Sequence, residues 1–185
     1  MCEGWATREL AAHLIVRENN PVALAGIVKP ALAHIHDRAL RREAARHPYV
    51  ELVAAVDEGP PPWWKAIDRS ANLIEFVVHH EDVRRGAPGW TARPQPEVAD
   101  IERLVWKKLR RSGRLLARKA KEVTIELRRP DGEAIVLRGH GPKVVVQGRP
   151  IELLLYLMGR RQAADVELSG SDDALAALAA AELRA

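Results

Sequence analysis

The sequence predicts a mainly α-helical chain, with a helix bundle over residues 1–120 and a small α+β domain over 121–185. Two observations carry this reading. The apolar period is helical up to about residue 120 and alternates after it. Apolar residues make up 47% and charged residues 29% of 185, the balance of a globular chain long enough for one large domain or a small pair.

The helical part divides at its breakers. Thr7 can cap a first helix running to about Asn19, which Asn20-Pro21 closes. A second helix is expected over Lys29 to Arg46, and a short third over Tyr49 to Glu58, ended by Gly59 and three prolines. Pro60-Pro61-Pro62-Trp63-Trp64 reads as a stiff connection. The next helix covers Asp68 to Arg85, a loop containing Trp90 follows, and a long basic helix spans Pro96 to Lys119 with Ile101, Val105, Leu109 and Leu116 on its buried stripe.

Beyond residue 120, Val123, Ile125 and Leu127 alternate with polar residues, Pro130-Asp131-Gly132 turns the chain, and Ala134 to Arg138 returns. Lys143 to Gln147 reads as a third strand and Val166 to Leu168 as an edge strand. Ile151 to Met158, apolar nearly all round, predicts a buried helix closed by Gly159. Asp172 or Asp173 starts a final Ala/Leu-rich helix. A unit of this size is expected to lean on the helical part.

Composition excludes several functions. No apolar stretch of about 18 residues is present to span a membrane, and the first residues lack a signal-peptide pattern, so a cytoplasmic location is expected. A single cysteine, Cys2, rules out an internal disulfide framework and any cysteine-rich metal site. The net charge is +4, and nine basic residues fall between Arg103 and Lys121. That run fits a solvated helix face; nucleic acid is not expected, because no recognition motif and little aromatic interleaving accompany it.

The helix over Asp68 to Arg85 carries a polar seam. Asp68, Asn72, Glu75, His79 and Asp82 recur at spacings of four, three, four and three, which places them within roughly 80° of helical arc. Leu73, Phe76 and Val83 flank the arc on one side, Ala71, Ile74 and Val78 on the other, so the seam should face inward. A carboxylate and an imidazole buried one turn apart are costly unless paired. Glu75 and His79 therefore read as two ligands of a divalent cation, although a buried ion pair without metal fits the same spacing. Asn72 and Asp82 fit supporting or capping roles, with Asp82 orienting a ligand histidine.

A third ligand must come from elsewhere, and His13 is the best candidate, mid-helix between Leu10 and Leu14 on one side and Ala12 and Val16 on the other. His34 and His36 are two apart and cannot share a helical face, His47 precedes Pro48 at a helix end, and His80 points toward the outer side. Two histidines and a carboxylate would leave a position for water or substrate. Trp5, Trp63, Trp64 and Trp90 fit either a pocket mouth or packing against the bundle.

Gly4-Trp5-Ala6-Thr7-Arg8-Glu9-Leu10-Ala11-Ala12-His13-Leu14, together with Glu75-Phe76-Val77-Val78-His79-His80-Glu81-Asp82-Val83-Arg84, resembles the DinB/YfiT-like metal-binding helix bundles. Among these the chain is most similar to the amino-terminal domain of mycothiol-dependent maleylpyruvate isomerases and their uncharacterised actinobacterial relatives. Gly148 to Arg160 resembles the small sterol-carrier-like second domain of the same isomerases. The resemblance implies a DinB-like up-down bundle with His13, Glu75 and His79 as ligands, a divalent metal, most readily zinc, and a low-molecular-weight thiol such as mycothiol as cosubstrate. The thiol would act on a small electrophile, by transfer or by addition to a cis double bond, rotation and elimination to the trans product. Arg160 or Arg161 could hold a substrate carboxylate. The alternative is a metal-binding or interaction module without catalysis, and a homo-oligomer is compatible with either. Relatives usually carry another helix ahead of the Cys-Glu-Gly-Trp motif. By that resemblance the first helix of the bundle would be missing here, and the expectation is a start recorded too far downstream, or a gap filled by the second domain or another subunit.

Overall fold

The computed structural model describes residues 6–23, 30–62, 71–137, 139–181 and 183. Expectations placed on Cys2, Trp5, Lys29, Trp63, Trp64, Asp68 and Arg138 lie outside these residues. Seven helices and four strands form the framework of the described residues: α1 (Thr7–Asn19), α2 (Ala33–Arg46), α3 (Tyr49–Glu58), α4 (Ala71–Arg84), α5 (Gln95–Leu116), β1 (Thr124–Arg128), β2 (Ala134–Val136), β3 (Lys143–Gln147), α6 (Pro150–Leu157), β4 (Glu167–Gly170) and α7 (Asp172–Ala180). The chain is mainly helical, with a small sheet near its carboxyl end. No helix among the described residues is long and apolar enough to cross a membrane.

By packing, the chain divides into Cys2–Asn72 and a second unit that includes Leu73–Ala185. This division is not the one that hydrophobic period marks at residue 120, because period follows secondary structure whereas packing follows shared core.

In the first unit α1 packs on α2 and α3, around a small core of Ala11, Ala12, Ala44 and Leu52. The cap of α1 lies at Ala6, not at Thr7: the Ala6 N–H donates to the Glu9 carboxylate at 3.0 Å, the half of a capping box that the glutamate side chain supplies. Arg8 reaches the far end of α2, donating to the carbonyls of Ala44 at 2.7 Å and His47 at 2.6 Å. It thereby satisfies orphan carbonyls of that helix end. A 3₁₀ turn at Pro30–Leu32 precedes α2, which begins later than the Lys29 expected, and Gly59 ends α3 at φ 76°, the left-handed region.

In the second unit a single core runs from Ile74, Val77 and Val78 through Val105, Trp106 and Leu109 to the sheet and to Ile151, Leu153, Leu154 and Leu155. The strand order is β2-β1-β3-β4, with β1 and β3 parallel and both edge pairs antiparallel. Ile125 and Leu127 on β1, and Val144 and Val146 on β3, supply the buried face. Pro150 opens α6 at its first turn, where a missing N–H costs nothing. Gly139 crosses β1 so closely that a Cβ there would lie 1.9 Å from the Val123 carbonyl oxygen.

Helix α6 is less uniformly apolar than its sequence suggests, since Glu152 is 3% exposed within it. Its partner is Arg85, whose two terminal nitrogens each meet a Glu152 oxygen at 2.7 Å while its Nε donates to Glu81 at 2.7 Å. The guanidinium also lies 4.3 Å from the centre of the Trp90 ring and donates to the Ala163 carbonyl. Arg149, at the start of α6, is held likewise by Glu102 of α5 at 2.8 Å and by the Arg93 carbonyl at 2.7 Å.

Burial opposes ionisation of Glu81, but the hydrogen bond and charge of Arg85, with the charges of Arg84 and Arg93, outweigh it and hold the carboxyl below its ordinary range. A depressed folded-state value means stability that is present above the unfolded value of about 4.3 and lost as pH falls through the folded value. Urea titrations from neutral pH downward are expected to show stability falling below about pH 4, with a shallower fall in Glu81→Gln. Arg85→Met, which leaves Glu152 buried without its cation and Glu81 with Arg84 and Arg93 alone, should cost about 3–5 kcal/mol.

Candidate metal centre

Helix α4 positions the seam, though at a flank of its buried face. Ile74, Val78, Glu81 and Arg85 lie at the centre of that face, at 9%, 1%, 1% and 4% exposure, and the seam begins a step around the helix from them. Leu73 is half-buried, but Phe76 and Val83 on the same side are 37% and 50% exposed. This corrects the expectation that apolar residues bury the seam from both sides. Asn72 is engaged by α1: it accepts from Arg17 and donates to the Glu18 carboxylate at 2.9 Å. Both of those charged residues are buried.

His79 stands between two carboxylates of its own helix. Its Nε2 lies 3.3 Å from Glu75 Oε2 and its Nδ1 3.2 Å from Asp82 Oδ2. Burial alone would lower the imidazole pKa, but the hydrogen bonds with Asp82 and Glu75 and the charges of both carboxylates outweigh it and raise the value. With Nδ1–H donating to Asp82, the Nε2 lone pair faces a carboxylate oxygen. Two acceptors at that separation need a proton or a cation between them.

Asp82 is itself anchored. Arg160 donates to it through Nη2 at 2.8 Å and Nε at 3.2 Å, and to the Met158 carbonyl through Nη1 at 2.7 Å. Burial works against the Asp82 charge, but the hydrogen bonds of His79 and Arg160 hold its carboxyl far below the usual range. The Arg160 side chain, 10% exposed, is thus committed to a protein carboxylate. Its neighbour Arg161 donates to the Ala179 carbonyl at 2.8 Å and to that of Ala181 at 2.5 Å, at the end of α7. Both arginines weighed for a substrate carboxylate are engaged within the fold.

His13 is 6% exposed on α1, and its Nδ1 lies 3.0 Å from Nε2 of His36. Sequence reasoning missed His36, which is as buried as His13 although His34 two residues earlier is exposed. The two-residue spacing that keeps these histidines off a common face is also what turns one inward. His47 is half-buried and His80 exposed, with 44% and 54% of their side chains open to solvent. Of the three expected ligands, the buried His79 and the half-buried Glu75 stand one turn apart on α4 of the second unit, and the buried His13 stands on α1 of the first. Two borderline nitrogens and one carboxylate oxygen suit a first-row divalent cation, and each imidazole has a polar partner at Nδ1.

In metal-free protein the raised value for His79 means stabilisation that is fully present below the unfolded value of about 6.5 and lost as pH rises through the folded value. Histidine NMR titration should show His79 protonating above that reference in the wild type. In Asp82→Asn the titration should move downward, since one of the two carboxylates favouring the cation is gone.

No family model, curated protein or solved structure matches this chain, so a functional reading starts from the chemistry of these side chains.

Proposed function

We propose that this chain is a divalent-metal protein, with His13, Glu75 and His79 as ligands and zinc as the metal, that activates a low-molecular-weight thiol such as mycothiol for transfer to a small electrophile or for its isomerisation. In this reading the helical part is a DinB-like bundle of the maleylpyruvate isomerase type and the carboxyl-terminal part its sterol-carrier-like companion. The observation that carries it is the position of His79, whose Nε2 faces the Glu75 carboxylate at 3.3 Å while Asp82 occupies Nδ1. That is the arrangement of a ligating imidazole oriented from behind.

Bound zinc would supply a Lewis acid that lowers a coordinated thiol's pKa into the neutral range. The chain's own residues do the rest. Asp82 fixes the His79 ring, and Arg160 keeps Asp82 ionised and in place. Asn72 is held by Arg17 and Glu18 and Asp82 by His79 and Arg160. Neither seam residue is needed as a fourth ligand, which leaves a coordination position for water or thiolate.

The engagement of Arg160 and Arg161 favours a second reading, a metal-binding module without catalysis, because neither arginine is presented to a substrate carboxylate. One series of measurements separates the two. Protein purified without chelator should contain about one zinc per chain, lost in His79→Ala. After cobalt replaces the zinc, addition of a small thiol should shift the visible spectrum if a position is exchangeable. Zinc without any thiol response would leave the non-catalytic module, and no metal in the wild type would reduce the seam to a structural polar cluster.

A further inference from the structure

His36 has no part in the ligand set, yet it is buried and aimed at one of its members. On α2 it shares an inward stripe with Leu40 and Ala44, at 6%, 5% and 8% exposure. The His13 and His36 rings meet at 71° with centroids 5.1 Å apart, an edge approach and not a stack. An N–H in the plane of one ring can therefore point at the lone pair of the other across the 3.0 Å separation. On its other side, His36 Nδ1 lies 3.4 Å from a carboxylate oxygen of Asp37.

These contacts set the direction of every proton. A neutral imidazole has one N–H and one lone pair, and an ionised carboxylate only accepts. Asp37 therefore favours the His36 proton at Nδ1, leaving Nε2 as an acceptor. The hydrogen bond to His13 then requires the His13 proton at Nδ1, and the His13 lone pair falls at Nε2. The reverse assignment would set the His36 Nδ1 lone pair against a carboxylate. Asp37 is 53% exposed, so its influence is weaker than that of the buried His13–His36 bond, which fixes the ring.

We propose that His36, biased by Asp37, is a positioning residue that holds His13 as its Nδ1–H tautomer and so presents Nε2 as the metal-ligating nitrogen. This rests on the reading of His13 as a ligand. His36 does for His13 what Asp82 does for His79, with a neutral acceptor in place of a charged one. The His13 ring is thus oriented without a further negative charge.

The test uses the full chain and two readouts. Long-range ¹⁵N NMR of the metal-free protein should show His13 protonated at Nδ1. Zinc affinity, measured by competition with a chromophoric chelator, should fall about 10–100-fold in His36→Leu. It should stay within about threefold of wild type in His36→Gln, whose amide oxygen can accept the same hydrogen bond. Metal-free thermal melting of each variant checks folding; should the leucine variant unfold, the tautomer and the glutamine variant carry the decision. A His13 proton found at Nε2, or undiminished zinc affinity in a folded His36→Leu, would overturn the proposal. If the wild type takes up no zinc, the metal reading fails by itself, and the His13 tautomer still decides the role of His36.

Discussion

The pairing of Arg85 with two carboxylates sets the rotation of α4, and with it everything the seam can do. A guanidinium buried to 4% exposure must spend its donors on acceptors. It does so on Glu81, one turn back on its own helix, and on Glu152 of α6, reached through both terminal nitrogens. A fork of two bonds to one carboxylate fixes direction as well as distance. With Arg85 turned to α6, the face of Ile74, Val78 and Glu81 follows it inward, and helical geometry puts Glu75, His79 and Asp82 around the flank. A seam at the centre of the face would be sealed by apolar packing. At the flank it keeps Glu75 half-buried, with its side chain 24% exposed.

The same rule governs the seam. His79 has its carboxylates at i−4 and i+3, and Asp82 answers to Arg160 as well. Buried ion pairs of this kind add little net stability over an apolar core, but removing one member leaves an uncompensated charge. They therefore act mainly as constraints on geometry. Around His79 the constraint runs from the Met158 carbonyl through Arg160 and Asp82 to Nδ1. A ring held in that way keeps its other nitrogen in one place.

The parts of this arrangement that could be read in the sequence are those fixed by local spacing. Glu75 and His79 stand one turn apart because four residues make a turn, and His79 and Asp82 meet for the same reason. The helix boundaries at Glu58 and Arg46 followed from Gly59 and from His47-Pro48, and the strands followed from alternation. Long-range partners carry no such signal. Glu152 in Ile-Glu-Leu-Leu-Leu-Tyr-Leu is the one charge in an apolar run, which hints at a buried partner, but nothing local selects Arg85 out of so many arginines. Arg160 has the same ambiguity, and the structure places it on Asp82. His36 was set aside because its spacing from His34 excludes a shared face; that argument compares the two with each other and not with the core. Counted against Leu40 and Ala44 at four and eight residues, His36 falls on the inward stripe, so the signal was present in the period of α2.

The charges around the two imidazoles also bear on which chemistry the donor set suits. Asp82 carries a negative charge behind His79, but Arg160 neutralises it, and His36 brings no charge to His13. Glu75 is then the one carboxylate in the proposed ligand set. One carboxylate and two neutral imidazoles would leave a divalent cation with a positive charge to spare, unlike a set of several carboxylates or thiolates. Such a centre favours an anion in its remaining position, hydroxide or thiolate over a neutral molecule, and by linkage it draws the proton off whichever of these binds. The pairing of Asp82 with Arg160 thus does more than hold a ring. In the proposed reading it also keeps a second negative charge from cancelling the pull on which thiol activation would depend.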